Sequence, residues 1–367
     1  MNASLRPARA ISPGRIILNE LNARGWGQHD LAAIMGRPEQ MISEIIHAKK
    51  QITAETAHQL AKAFGTTPDF WLNLEMQYQL NQVANQIQNK DIEKRSLLYR
   101  LAPISEMIKR GWIQPGDSID ALEQAYCRFF NVESIDLEPQ MAARLRTSAD
   151  RDPQQRAVIA WVRQAERLAH EQTVPEFNRM SYVGLLDDLL RCARNAEDIK
   201  NIPALLLSHG IHFIIIPHLS KTYLDGAAFW INDNPVVAIS LRYDRIDTFW
   251  FTLLHELAHI FHNHKTVHVD QLFGREAEGL GKEEVAANQQ AAEWLIPQAE
   301  FKQFIESNSP RFSRKSIEEF SEKINRHPGI VIGQLMHAGI IKYSSMREYL
   351  VKVSPMLEKW MEVPLSM

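Results

Sequence analysis

The sequence predicts a mainly α protein with an α+β part, and three observations carry that prediction. Apolar residues recur at three- and four-residue spacing through most of the 367 residues. Strand-like runs are confined to residues 201–300, as GIHFIIIP, DGAAFWIN and PVVAISL. The chain is long enough for two or three domains, and no repeat or low-complexity tract subdivides it further. Hydrophobic residues make up 45% and charged residues 23%, ordinary proportions for packed cores. Lys and Arg number 41 against 44 Asp and Glu, a net charge of −3, which excludes a wholly polybasic or polyacidic chain. Cys127 and Cys192 make neither a CxxC pair nor a disulfide framework, so a reduced, cytoplasmic setting is expected. The start MNASLRPARAISPG lacks an apolar signal core, and no run reaches the roughly 18 apolar residues of a membrane span. A soluble protein is expected.

Four segments follow from the pattern: 1–85, a bundle of short helices; 86–200, a helical connector; 201–300, a small sheet with an apolar helix; and 301–367, a helical tail. In the first, Gln28-His-Asp-Leu-Ala-Ala-Ile-Met-Gly36 reads as an amphipathic helix closed by glycine, which tolerates a left-handed turn. Arg37-Pro38 opens a second helix over Glu39–Ala48, with proline suited to a first turn. Leu31, Ala32, Met35, Ile42, Ile45 and Ile46 face inward, and Ala32 is small enough for two helices to cross closely. Phe70-Trp71 reads as closure of this core. The outer face of the second helix carries Glu39, Gln40, Ser43 and Glu44, followed by Lys49 and Lys50. Short polar side chains at a helix N-terminus reach base edges in a major groove, and lysines anchor phosphates. Gln28, opening the preceding helix, joins this candidate surface. Residues 1–50 hold seven basic side chains against four acidic, opposite in sign to the whole chain.

These residues form a helix-turn-helix pattern. It resembles the phage-repressor-like (XRE) family, and more closely its HigA-type antitoxin branch, through SPGRIILNEL, WGQHDLAAIMG and ISEIIHAKKQITAETAHQLAKAFGTTPDFWLNL. NLEMQ stands where NLQ is common in that branch. The resemblance implies a homodimer that binds operator DNA, represses its own operon and neutralises a RelE-like ribonuclease toxin.

Residues 86–200 hold helical patterns broken at Pro103, Pro115 and Pro139, without a catalytic constellation. The chemistry sits further on, in FWFTLLHELAHIFHNH. His255 and His259, four apart on a helix, point to the same side, so both imidazoles can reach one metal ion. Glu256 lies beside them and can accept a proton from water as general base. The surrounding Phe249, Phe251, Leu253, Leu254, Leu257, Ile260 and Phe261 make the helix apolar, so buried imidazoles and a carboxylate need partners. A third protein ligand leaves a fourth position open for water. In the downstream helix GKEEVAANQQAAEWLIP, Glu284 falls in the middle of the stripe Ala287, Ala291, Ala292, Leu295, whereas Glu283 is displaced by about 100°. A carboxylate in mid-stripe is costly unless it meets a cation, which selects Glu284 as the third ligand of a Zn2+ ion. His262, His264 and His268 are further candidates, expected at the rim; Tyr243 and His268 are candidates for stabilising a transition state.

This half resembles the ImmA/IrrE-type metallopeptidases, with a gluzincin-like fold, from about Pro203 to Pro297. The likeness rests on Asp225-Gly226, FTLLHELAH and ExxANxxAAEWLIP, with Gln290 in place of the usual Phe. It implies a zinc endopeptidase that cleaves a repressor. The leading expectation is a DNA-binding autoregulator and antitoxin carrying such a domain. The alternatives are a dedicated site-specific metalloprotease that its helix-turn-helix merely recruits, and a non-catalytic sensor stabilised by zinc. Ser313–Arg326 is expected as a solvated helix face, and Met356–Met361 either packs a terminal helix or meets a partner.

Overall fold

The computed structural model describes residues 11–86, 90–139, 153–220, 222–262, 268–270 and 282–361. The chain forms two compact units, Met1–Glu93 and Lys94–Met367.

The first unit is helical: α1 Pro13–Arg24, α2 Gln28–Met35, α3 Glu39–Ile46, α4 Ala54–Phe64 and α5 Pro68–Gln86. Ser12 caps α1 by accepting from the Arg15 amide, with Pro13 in the first turn. A Cβ on Gly14 would stand 1.9 Å from the Ile46 carbonyl oxygen, so only glycine lets α1 approach the end of α3. Gly36 ends α2 in the left-handed region at φ 64°. The six inward residues all join one buried cluster with Ile17, Leu21, Leu60 and Trp71. Helix α3 stops at Ile46 rather than Ala48, because Ala48 itself turns left-handed at φ 56°. Trp71 closes the core and donates to Thr66 Oγ1 at 2.7 Å. Phe70, expected beside it, remains 45% exposed and meets Trp71 edge-on. A position one residue away on a helix points about 100° elsewhere. Helix α6, Lys90–Leu101, follows.

In the second unit, α7 Ile104–Lys109, α8 Ile119–Phe130, α9 Pro153–Glu171, α10 Tyr182–Cys192 and α11 Ile202–Ser208 precede a four-stranded sheet. Its strands are β1 His212–Ile215, β2 Gly226–Ile231, β3 Asn234–Ile239 and β4 His268–Asp270, in the order β1-β3-β2-β4. β1 runs parallel to β3; β2 is antiparallel to β3 and β4. Asn232 and Asp233 make the two-residue β2–β3 turn, with Asn232 at φ 52°. Helix α12, Ile246–Phe261, then α13 Lys282–Leu295, α14 Gln298–Asn308, α15 Arg314–Lys323, α16 Pro328–His337 and the short α17 Ser354–Leu357 complete the unit.

Both faces of the sheet are covered, which explains why its strands read as continuous apolar runs. Phe213, Ile215, Ala228, Val237 and Ile239 pack towards α12 and α16. Ile214, Ala227, Phe229, Val236 and Ala238 pack towards α8 and α9. The middle segment thus supplies one whole cover of the sheet: Trp161 donates to the Ile216 carbonyl at 3.1 Å, and Arg110 bonds the Pro217 and His218 carbonyls at 2.7 Å. The C-terminal segment is equally built in. Ile330, Val331 and Leu335 are buried against α12, and Met356, Leu357 and Met361 pack on the same core. Helical spacing marks an apolar face but not the surface it will cover.

Two histidines make this unit sensitive to acid. Burial holds His212, on β1, below the ordinary histidine pKa, with the nearby His170 adding to the effect. Burial does the same for His327, whose Nδ1 accepts the Gly329 amide at the start of α16. The unfolded chain therefore takes up protons near pH 6.5 while the folded chain does not. Stability is full above that pH and is lost as pH falls towards the folded values. Urea unfolding at pH 7.5 and 5.5 should show the loss. His327→Asn, which keeps a capping acceptor without a titrating ring, should lessen it.

Candidate metal centre and nucleic-acid interface

Helix α12 is buried along its full length. It crosses α16 where a Cβ on Gly333 would stand 2.3 Å from Asp247 Cβ. The Arg179 guanidinium bonds the Phe261 carbonyl at its C-terminal end. Arg326 does the same for α13, donating to the Leu295 and Trp294 carbonyls at 2.9 and 3.2 Å. A cation at the negative end of a helix satisfies carbonyls that have no intrahelical partner. Both helices are thereby fixed at the ends beyond the candidate ligands. Arg326 was expected on a solvated face; the sequence gives no signal that it folds back onto another helix.

The two helices bring His255, His259 and Glu284 together. His255 Nε2 lies 3.0 Å from His259 Nε2, and Glu284 Oε2 is 3.4 and 3.5 Å from these nitrogens. Ligands about 2.0–2.1 Å from a tetrahedral ion are about 3.3–3.4 Å apart, so the spacing fits a metal. Two imidazole nitrogens and one carboxylate oxygen converging on one point form a donor set suited to a divalent cation. Among the described residues this is the one group of three such side chains close enough to share an ion. Both histidines are fully buried, while the Glu284 side chain keeps 21% exposure, giving the site one side towards solvent. Glu283 lies on the exposed face of α13. Glu256, fully buried, sits between the two histidines in sequence and outside the ligand triangle.

The other histidines are placed less centrally. His262 caps the end of α12 and lines an outer groove with Ala286, Gln289 and Glu293. His264 lies outside the described residues, as does the side chain of His268, whose backbone pairs with Ala228. Tyr243 stacks under the Arg242 guanidinium, 4.8 Å from its ring centre.

In the first unit, Glu39 and Gln40 are exposed at the start of α3, with Ser43 and Glu44 half-buried one turn on. Gln40 donates to Glu44 at 3.1 Å. Lys49 and Lys50 are exposed just beyond the helix, and Gln28 is half-buried at the start of α2. His47, not singled out from the sequence, is exposed on the same end, its Nδ1 2.8 Å from the Ser43 carbonyl.

Residues 17–71 match the family described as Helix-turn-helix, and residues 207–310 match a peptidase family described as the IrrE N-terminal-like domain. Virulence-associated protein A' of Dichelobacter nodosus is 37% identical over 79 residues, covering 21% of this chain and 69% of that protein. The uncharacterized HTH-type transcriptional regulator YbaQ of Escherichia coli is 32% identical over 100 residues, covering 27% of this chain and 84% of that protein. The chain belongs to the XRE-type helix-turn-helix family. It also carries an IrrE-type peptidase domain. Among solved structures, an addiction module antidote protein of a HigA family from Coxiella burnetii is 39% identical, covering 23% of this chain and 94% of that one at a TM-score of 0.22. The helix-turn-helix match spans α2 and α3 with their exposed polar face. The peptidase match contains the sheet, α12 and Glu284. No helix among the described residues is long and apolar enough to cross a membrane.

Proposed function

We propose that this protein is a DNA-binding autorepressor and antitoxin whose second unit is a zinc-dependent endopeptidase. The observation that carries the enzymatic reading is the His255–His259–Glu284 triangle, with Glu256 next to it on the same buried helix. A zinc ion held there supplies Lewis-acid activation of water and of the scissile carbonyl. Glu256 takes the proton of the attacking water as the C–O bond forms and delivers it to the nitrogen as the C–N bond breaks, so the products are a carboxylate and an amine. The exposed part of Glu284 marks the side from which a peptide reaches the site. A repressor is the substrate class that the family resemblance supports.

In the regulatory reading, α3 enters a major groove of operator DNA, with Gln28, Glu39, Gln40, Ser43 and Glu44 facing bases and Lys49 and Lys50 facing phosphates. The chain acts as a homodimer on paired half-sites. The sequence AKAFGTTPDFWLNL over α4 and α5 supports an antitoxin role against a RelE-like ribonuclease.

Gel-shift titrations with the full chain and its own promoter test the DNA reading. Gln40→Ala and Ser43→Ala should each cost about 1–3 kcal/mol at the promoter and relax discrimination. Lys49→Ala and Lys50→Ala should weaken binding to all sequences and lower the salt slope by about one each. Binding no tighter than to random DNA sinks this half of the proposal. Copurification with a small ribonuclease encoded next door tests the antitoxin role.

A further inference from the structure

Gly226 opens β2 and sits in the sheet interior, paired with Ile239 on one side and Asp270 on the other. Glycine in a strand interior weakens the strand and needs a reason. Its backbone provides none, since Gly226 is not among the glycines with positive φ. The reason lies across the sheet face. Gly226 and Ala228 alternate with Ala227 and Phe229, and Ala228 packs towards α12 while the other two pack away from it. On that α12 side, a Cβ at 226 would stand 2.3 Å from Glu256 Oε1, 3.0 Å from Glu256 Cδ and 2.8 Å from Thr252 Cγ2. The space that a side chain would fill is taken by the Glu256 carboxylate.

We propose that Gly226 is a positioning residue for Glu256: the bare backbone of β2 forms the wall against which the carboxylate rests, with Thr252 closing one side. The contact is a matter of geometry alone; its catalytic meaning rests on the endopeptidase reading. Glu256 has three rotatable side-chain torsions before its oxygens, and a general base must be held within hydrogen-bond reach of the proton it takes. Burial beneath a hydrogen-bonded strand removes the alternatives. A methyl group at 226 meets side-chain atoms rather than backbone, the Glu256 carboxylate most closely and Thr252 Cγ2 next, so the strand stays in place and the carboxylate is the group that moves furthest.

The test uses the full-length chain and introduces Gly226→Ala into three backgrounds: wild type, Glu256→Gln and Glu256→Ala. Glutamine keeps the shape of the carboxylate, and alanine removes it. Gly226→Ala should lower the melting temperature of the sheet-containing unit in the first two backgrounds and lower it clearly less in the third, where only Thr252 Cγ2 still crowds the methyl group. Zinc content should be the same throughout. For cleavage, kcat should fall towards the Glu256→Gln value with KM unchanged, and the Gly226→Ala/Glu256→Gln double variant should be no slower than Glu256→Gln alone. The same thermal shift in all three backgrounds overturns the proposal, because the glycine would then answer to the sheet. So does loss of zinc in Gly226→Ala, which would mean that a ligand had been displaced, or a full kcat in that variant. If the wild-type chain cleaves nothing, the endopeptidase reading fails, and the thermal comparison still decides whether Gly226 places Glu256.

Discussion

Glu256→Gln should reduce peptide cleavage on the order of 100- to 10,000-fold while DNA binding and zinc content stay at wild-type levels. Each part of this expectation has its own cause. The substitution keeps the size of a side chain with no exposed surface, so the packing between α12 and β2 is preserved. It removes the only function that glutamine cannot perform, taking up and returning a proton. Glu256 stands outside the triangle of His255, His259 and Glu284, so the donor set remains whole. The helix-turn-helix unit has its own buried core, to which no residue of α12 belongs. Single-turnover cleavage of the repressor substrate, metal analysis and promoter binding on the same preparations read the three quantities. Equal cleavage by wild type and variant would sink the catalytic assignment and leave a zinc-stabilised sensor as the better description.

The second large effect is expected at Glu284. Glu284→Gln should lower zinc affinity by more than the roughly 10- to 100-fold typical of outer-shell partners, because it exchanges a charged donor within the triangle for a neutral amide. Glu283→Gln, one residue away on the exposed face of α13, is the control and should bind zinc normally. Loss of zinc also removes ligand-linked stability, so the Glu284 variant should melt at the temperature of the chelated wild-type chain. Inductively coupled plasma analysis with thermal melts in the presence and absence of EDTA checks both statements. The opposite outcome, with Glu283→Gln losing the metal, would shift the ligand by one residue and contradict the geometry of the triangle.

Several of these features were legible in the chain because they are local. Histidines four apart on a helix face one side whatever surrounds them, so HELAH was enough to pair His255 with His259. The 100° step between adjacent helix positions likewise separated Glu284 from Glu283 before any contact was known. Gly36 and the apolar positions of α2 and α3 fixed the helix-turn-helix, since its core lies within one short stretch. Local reasoning failed where a neighbouring position or a distant partner decided the outcome. Phe70 and Trp71 look alike as apolar residues, yet only Trp71 turns inward. Ala48 carries no mark of the left-handed turn that ends α3 early.

What tertiary structure alone decided is which surfaces meet. Nothing in the spacing of residues 86–200 indicates that α8 and α9 cover the sheet, because an apolar helical face is compatible with any partner of suitable shape. Arg326 reads as a solvated charge until α15 and α13 are seen together, when it becomes the cap of the helix that carries Glu284. Gly226 reads as one more residue of a strand-like run until β2 is laid across α12 and the Glu256 carboxylate is found where its side chain would stand. Helix geometry sets the spacing of His255 and His259 from sequence alone, whereas Glu284 stands beside them only because α12 and α13 pack together. Contacts between residues 30 or more positions apart depend on how whole elements pack, and side-chain volume and close approach fix those only in the folded chain.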